Sequence, residues 1–399
     1  MTDRPLSGIR ILDSTVMTAG PWAVQILADL GAEVIKIERP GKQYDVNRML
    51  QQEHGTSYFY LALNKDKKSI QFDYSKPGHK ETYKKLVEKC DIVTENFKAG
   101  SMDRQGLGYN DLKEIKPDLI YSAVSGYGQT GPRSPLPAAD LVIQATSGFM
   151  SVNGDKGSTG MKAGSSLADV YASTAAAIPL LAAIYYKMET GEGTMVDTSM
   201  QSANMSMIGY ELAKYLNTGE ITRPNGNADQ ERGFCQPVPT DDGMLMVDAS
   251  EDRDFKSFMK VLGLDELAED ESYKTAVLRH DYAERLSQVI EPITKEYGMA
   301  ELALKCRRAG IPVGEIKTMD KVIRSSYINE RNDISIVTDE KFGECKTLDL
   351  PLKFDKFDVP KYRQGSQSGA DTAQVLRELL GLSDDEIREL YSYEGAVTV

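Results

Sequence analysis

The chain of 399 residues is poor in the residues that hold metals or crosslinks, with four cysteines and three histidines. Cys90, Cys235, Cys306 and Cys345 are scattered with no CxxC pair. That excludes a disulfide framework and points to a reducing compartment. His54, His79 and His280 are equally dispersed, and no HExxH or other His/carboxylate array appears, so no metal centre is expected. The GxSxG elbow that starts many Ser-His-Asp triads is missing. So is GxGxxG: the turn after the first strand pattern reads Ser14-Thr15-Val16-Met17-Thr18-Ala19-Gly20-Pro21, which removes the usual dinucleotide fingerprint. No basic, apolar leader is expected, because Met1-Thr2-Asp3-Arg4-Pro5 runs straight into a strand pattern. The longest apolar run, Val170 to Tyr186, contains Pro179 and is shorter than a bilayer span. A buried helix and a cytoplasmic protein are therefore expected. Positive charge is in deficit, with 47 basic against 60 acidic residues and a net charge of −13. Such a field repels nucleic acid and anionic membranes, so an anionic ligand must be met by a local basic cluster.

What is present is a repeating strand–helix pattern. Ile9 to Asp13 reads as a strand, Ala23 to Leu30 as a helix and Glu33 to Glu38 as a second strand. This is a βαβ unit and hence a parallel sheet. Ser69–Phe72, Ile92–Asn96, Leu119–Val124 and Met195–Thr198 continue it, with a helix over His79–Lys89. The fold class is α/β, a doubly wound Rossmann-like sheet whose ligands bind at the C-terminal ends of the strands. The length exceeds the usual limit for one core, so two domains are expected. Residues 1–200 form the large domain, 201–225 a linker, 226–330 a small α+β domain, and 331–399 a linker and a C-terminal segment returning to the large domain. The small domain is anchored on the strand Gly243–Val247 and helices over 252–262, 282–295 and 299–309.

One carboxylate stands out. Asp169 lies where the flexible segment Gly164-Ser165-Ser166-Leu167-Ala168 becomes a long, nearly uncharged helix. Helix starts carry unpaired N–H groups and partial positive charge, which hold an anion. An aspartate so placed is either a cap or a nucleophile, and the residues alone leave both readings open.

The chain resembles the family III CoA-transferases, the formyl-CoA and carnitine CoA-transferase group. The resemblance is carried by Leu6 to Asp13, Ala19-Gly20-Pro21, Leu27 to Glu38, Asn64-Lys65 with Lys68-Ser69-Ile70, and Glu95-Asn96-Phe97. It continues through Ser125 to Pro132, Gly164 to Asp169 and Thr190-Gly191-Glu192-Gly193. These blocks are collinear, dense over the first two hundred residues and sparse beyond.

The resemblance implies that Asp169 attacks the thioester of an acyl-CoA and passes through a mixed anhydride and an aspartyl-CoA thioester. Such chemistry needs a carboxylate, which can be activated as an anhydride and then bear CoA itself. It also needs N–H donors for the tetrahedral oxyanions, expected from the helix start after Asp169 and from glycine-bearing loops. CoA-binding positions are implied at Val16, Arg39, Lys65, Lys68, Asn96, Phe97 and Arg104. Coenzyme A thioesters are then substrates, no permanently bound cofactor is needed, and the partners are an acyl-CoA, a small carboxylic acid and a second chain in an interlocked homodimer. The site is expected between the domains.

Two departures bear on specificity. Met17 stands where formyl-CoA transferase has a glutamine, and a thioether donates no hydrogen bond. Asn225 to Pro239 lacks that enzyme's glycine-rich closing loop. Oxalate is therefore not expected as the acceptor, and Met17 and Trp22 read either as favouring a bulkier or less polar acyl chain or as core packing. The α-methylacyl-CoA racemases share the fold but use a histidine just before an aspartate. Here that place is Ala139 before Asp140, and alanine moves no proton. Asp140 is expected to be a structural anchor. A nicotinamide-dependent oxidoreductase has only fold analogy behind it.

Overall fold

The computed structural model describes residues 4–40 and 56–391. Met1 to Asp3 and His54 lie outside them, as do the last eight residues of the expected C-terminal segment. The described residues divide into two compact units. One lies within Met1–Phe149, Ala163–Leu212 and Arg331–Val399, the other within Met150–Lys162 and Ala213–Glu330.

The first unit is built on a six-stranded parallel sheet: β1 (Arg10–Asp13), β2 (Glu33–Glu38), β3 (Lys68–Gln71), β4 (Ile92–Glu95), β5 (Ile120–Ser125) and β6 (Thr194–Ser199). Their order, β3-β2-β1-β4-β5-β6, reverses direction between β1 and β4. Central strands such as β4 and β5 are buried along their whole length, as expected where helices cover both faces. One face packs Ile11, Val34, Ile92 and Ile120 against Leu27 and Leu180. The other packs Leu12, Ile35, Val93 and Tyr121 against Tyr83 and Leu86.

Three helices position the site: α1 (Ala19–Asp29), α2 (Asp140–Thr146) and α3 (Leu167–Thr190). The run read as a buried helix is α3. By length and composition it is apolar enough to cross a membrane. Its Ala168, Ala172, Ala176, Leu180 and Ala183 instead form a buried stripe of mostly small side chains at helical spacing, which lets α1 and the sheet approach closely.

The C-terminal part of this unit seals the β3 edge. Ser69 N–H donates to Asp371 (2.7 Å) and Gln71 N–H to Thr372 Oγ1 (3.1 Å), satisfying groups that an open edge would leave free for aggregation. Arg363, fully buried, pairs with Asp29 (2.8 Å) and Asp66. β10 (Ile334–Asp339), β11 (Gly343–Leu348) and β12 (Tyr362–Gln364) form a small sheet here.

The second unit carries the antiparallel sheet β7 (Phe234–Thr240), β8 (Gly243–Ala249) and β9 (Val313–Glu315). Phe234, Phe255, Phe258, Leu286 and Leu302 fill its core. Residues 150–162, expected within the large domain, cluster here instead. The physical reason is local: Gly226 N–H donates to Gly154 O (2.9 Å), and Lys156 meets Glu284 (2.5 Å).

Candidate active site

At the C-terminal ends of β1 to β4 the first unit encloses a cavity of about 240 Å3. This is the crevice that an open α/β sheet leaves where its strand order reverses. Val16, Arg39 and Phe97 line it, together with Ser14, Ile37, Tyr74 and Met102. Asn96 ties its two halves together across the β1–β4 boundary. Its Oδ1 accepts Val16 N–H (2.8 Å) and its Nδ2 donates to Val16 O (2.7 Å). Asn96 thus acts on the peptide of Val16 rather than presenting a free amide. Gly20 must be glycine at this point, because a Cβ would sit 2.4 Å from Thr15 Cβ and 3.0 Å from Asn96 Cγ.

The cavity's walls suit a flat aromatic group with anionic neighbours. Phe97 and Tyr74 meet edge to face, 6.4 Å between ring centres. Glu95 accepts Phe97 N–H (2.7 Å), which fixes the turn that carries the ring. Arg39 lies 3.7 Å from Asp73. Burial pushes the Asp73 carboxyl up, but the Ser75 hydroxyl and N–H, with Arg39, hold it below the usual range. Arg104 is exposed beside the cavity and donates to Ser101 Oγ (3.1 Å), itself a lining residue. Among the described residues expected to meet CoA, Arg39 lines the cavity and Arg104 stands beside it.

Lys65 and Lys68 do not join this group. Lys65 is fully buried, donating to Leu348 O (3.1 Å) and lying 3.8 Å from Asp349. Burial lowers its pKa. The covering C-terminal strands, far off in sequence, make it a structural lysine. Lys68 projects from the β3 edge onto Glu33 (2.8 Å) and Glu378 (3.7 Å). Lys67, in the same turn, is buried against Asp13 (3.1 Å) and Pro21 O (3.0 Å).

The loop from β1 to α1 runs from the cavity to Asp169. Asp13 Oδ1 accepts Thr15 N–H (2.9 Å), while Lys36 donates to Thr15 O (2.7 Å). Val16 then lines the cavity, Met17 adopts a left-handed backbone (φ 65°), and the Thr18 hydroxyl comes near enough to Asp169 to lower its pKa. Left-handed backbone is uncommon outside glycine and is retained where the surroundings enforce it. Met17 alone thus separates Val16 on the cavity wall from Thr18 beside Asp169.

Asp169 occupies the first turn of α3, but it is not the cap. Ser166 at the N-cap makes no capping hydrogen bond through its side chain. The cap comes from a different helix: Asp140 Oδ1 accepts the N–H groups of Ala168 (2.9 Å) and Asp169 (3.2 Å). This leaves the Asp169 carboxylate free of the role that an isolated aspartate at a helix start would usually have. Burial, then the charge of Asp140, pushes its pKa up to about 6, with the Thr18 hydroxyl pulling the other way. At neutral pH it is ionised yet poorly stabilised by cations, a suitable state for a nucleophile.

The same bonds correct the expectation about oxyanion donors. Leu167 N–H donates to Ser165 O (2.8 Å), Val170 N–H to Ser166 O (3.1 Å), and the two between them to Asp140. The N–H groups at the start of α3 are therefore committed to acceptors within the chain. Thr18, Tyr74 and Asp73 were not singled out from the sequence as site residues. Thr18 was legible only as the residue preceding α1.

The family model of CoA-transferase family III matches residues 6–372. The chain is 31% identical to the succinyl-CoA:glutarate CoA-transferase of Homo sapiens, covering 98% of this chain and 89% of that protein. It is 30% identical to the succinate–glutarate CoA-transferase of Agrobacterium fabrum, covering 94% and 96%. A crystal structure of a CAIB/BAIF family protein from Brucella suis superposes with a TM-score of 0.84 at 28% identity, over 95% of this chain and all of that one. Ala139, with a methyl where a racemase histidine would stand, precedes Asp140 at the start of α2, so the racemase reading is not favoured. The chain belongs to CoA-transferase family III and is a CoA-transferase.

Proposed function

We propose that the protein moves CoA from an acyl-CoA donor to a free carboxylic acid through covalent intermediates on Asp169. The observation that carries this reading is the Asp169 carboxylate, released from capping by Asp140 and joined through Thr18 to the loop that lines the cavity. An Asp169 oxygen attacks the thioester carbonyl, and CoA leaves as thiolate, giving a mixed anhydride. The thiolate attacks the aspartyl carbonyl, releasing the donor acid and leaving an aspartyl-CoA thioester. The acceptor carboxylate attacks that thioester, forming a new anhydride and freeing thiolate. Thiolate then attacks the acceptor's acyl carbon, releasing the new acyl-CoA and the Asp169 carboxylate. Each step breaks one acyl bond as it forms another, and no net proton moves. Arg39 and Arg104 hold the nucleotide end, with Phe97 against the adenine.

The acceptor and donor are proposed to be dicarboxylic acids of succinate and glutarate size. This rests on the substrates named for the relatives and on Met17, an exposed thioether beside Thr18 that offers no donor to a short, highly polar acid. The functional unit is proposed to be an interlocked homodimer. Besides the resemblance, support comes from the outer face of α3, where Val170, Ile178, Tyr185 and Met188 are exposed, a patch of the kind that marks interaction sites. The four cysteines, all free, favour a cytoplasmic setting. A panel of monocarboxylic and dicarboxylic acids against succinyl-CoA tests the substrate reading. Glutarate turning over faster than oxalate or butyrate supports it, and oxalate as the best acceptor contradicts it. Sedimentation as a monomer at micromolar concentration contradicts the dimer.

A further inference from the structure

Gln144 is fully buried one turn beyond Asp140 on α2. A buried amide must satisfy both of its ends, and each end of this one is spoken for. Its Nε2 donates to Asp140 Oδ2 (2.7 Å) and, more weakly, to Ser165 O (3.4 Å). Its Oε1 accepts Ala163 N–H (2.9 Å). The amide therefore grips two things at once. One is the carboxylate that caps α3, and the other is the segment leading into it. Asp140 uses one oxygen for Gln144 and the other for the N–H groups of Ala168 and Asp169. Rotation of Asp140 would break both sets of bonds, so the amide locks the orientation of the cap.

We propose that Gln144 is a positioning residue for the nucleophile: it clamps Asp140 to the Ala163–Ser165 segment and thereby fixes the entry of α3 on which Asp169 stands. This rests on Asp169 being the nucleophile. Gln144 touches no reacting atom, and its effect reaches the chemistry only through the cap and the chain. Misplacing a reacting group by about 1 Å can cost on the order of 10²-fold in rate. The polarity of the clamp is fixed, because a carboxylate on one side needs a donor and an N–H on the other needs an acceptor.

Gln144→Glu and Gln144→Leu test this. Protonated, the introduced carboxyl of Gln144→Glu can donate to Asp140 through its O–H and accept Ala163 N–H on its other oxygen, restoring the clamp. Ionised, it faces the Asp140 carboxylate, and of two carboxylates so close one keeps its proton to a raised pH and loses it above that. The ionisable groups in this cluster are Asp140 on the same helix and, beyond it, Asp169 on α3. The ratio of Gln144→Glu to wild-type kcat should be near one at about pH 6 and fall roughly tenfold by about pH 9, with acyl-CoA KM little changed. Gln144→Leu should show the lowered kcat at every pH. A ratio that stays flat across pH overturns the proposal, as does a loss that follows unfolding by circular dichroism. Hydroxylamine labelling of wild-type Asp169 separates the two levels: it persists if only the clamp is wrong and is missing if Asp169 is not the nucleophile.

Discussion

Asp13 and Asp169 lie in the same unit, Asp13 at the end of β1 and Asp169 in the first turn of α3, yet their surroundings are opposite. Asp13 is fully buried between lysines. Burial pushes its pKa up, but Lys67 and Lys36, with Thr15, hold it below the usual range. Asp169 has a hydroxyl and a second carboxylate for company, and its pKa rises to about 6. A carboxylate neutralised by cations is a bolt, and on the proposed reading the one left beside another carboxylate is the reagent. The loop between them, from Asp13 to Thr18, is held rigidly at the first end so that it can present Val16 and Thr18 at the other.

The largest expected effect comes from removing the reagent. Asp169→Ala should lower transfer by on the order of 10³-fold or more, the scale of losing a covalent nucleophile. Acyl-CoA binding, measured by calorimetry, should change little, and retained turnover contradicts the assignment. Next is the bolt. Asp13→Ala leaves Lys67 buried without its carboxylate and should destabilise the fold by roughly 3–5 kcal/mol, read from denaturant unfolding. Asp169→Asn should do the reverse. Its folded pKa lies above the unfolded value, so in wild type the native state binds more protons between the two, and stability falls as pH rises from about 4 through about 6. The variant should therefore be more stable than wild type at neutral pH, by on the order of 1 kcal/mol, with the gain vanishing near pH 4. Asp13 has the opposite sign: its stabilisation is present above the usual carboxylate range and is lost as pH falls through its depressed pKa. If both substitutions shift stability in the same direction, the comparison fails.

Smaller effects probe the loop between the two. Asn96→Ala removes two bonds to Val16 at about 1 kcal/mol each, and acyl-CoA KM should rise roughly tenfold. Lys68→Ala should leave KM within about twofold, since its partners are Glu33 and Glu378 at the sheet edge. A tenfold rise in KM would return Lys68 to the CoA site.

The strands of the main sheet were legible because buried parallel strands read as short apolar runs between turns, as in Glu33–Glu38 and Ile120–Ser125. β10 to β12 were not, since they alternate with polar residues and Lys346, Glu344 and Tyr362 face outward. Without them nothing shows that Lys65, placed at the CoA site through the resemblance, is covered. Three lysines in a turn look like a solvated basic patch until a distant segment covers them. Val16, Asn96, Phe97, Arg39 and Arg104 came through a resemblance, not through spacing. The cap of α3 by Asp140 joins residues 28 and 29 apart. No local pattern signals it, because a helix start shows only that its N–H groups need a partner, not which residue supplies it.

The most direct test is chemical trapping. The protein is incubated with succinyl-CoA and hydroxylamine, without acceptor, and its peptides are mapped by mass spectrometry. A hydroxamate on Asp169 that appears only when acyl-CoA is present is the predicted result. Asp169 left unlabelled in enzyme that transfers CoA once an acceptor acid is added, or a hydroxamate on another carboxylate, contradicts the account.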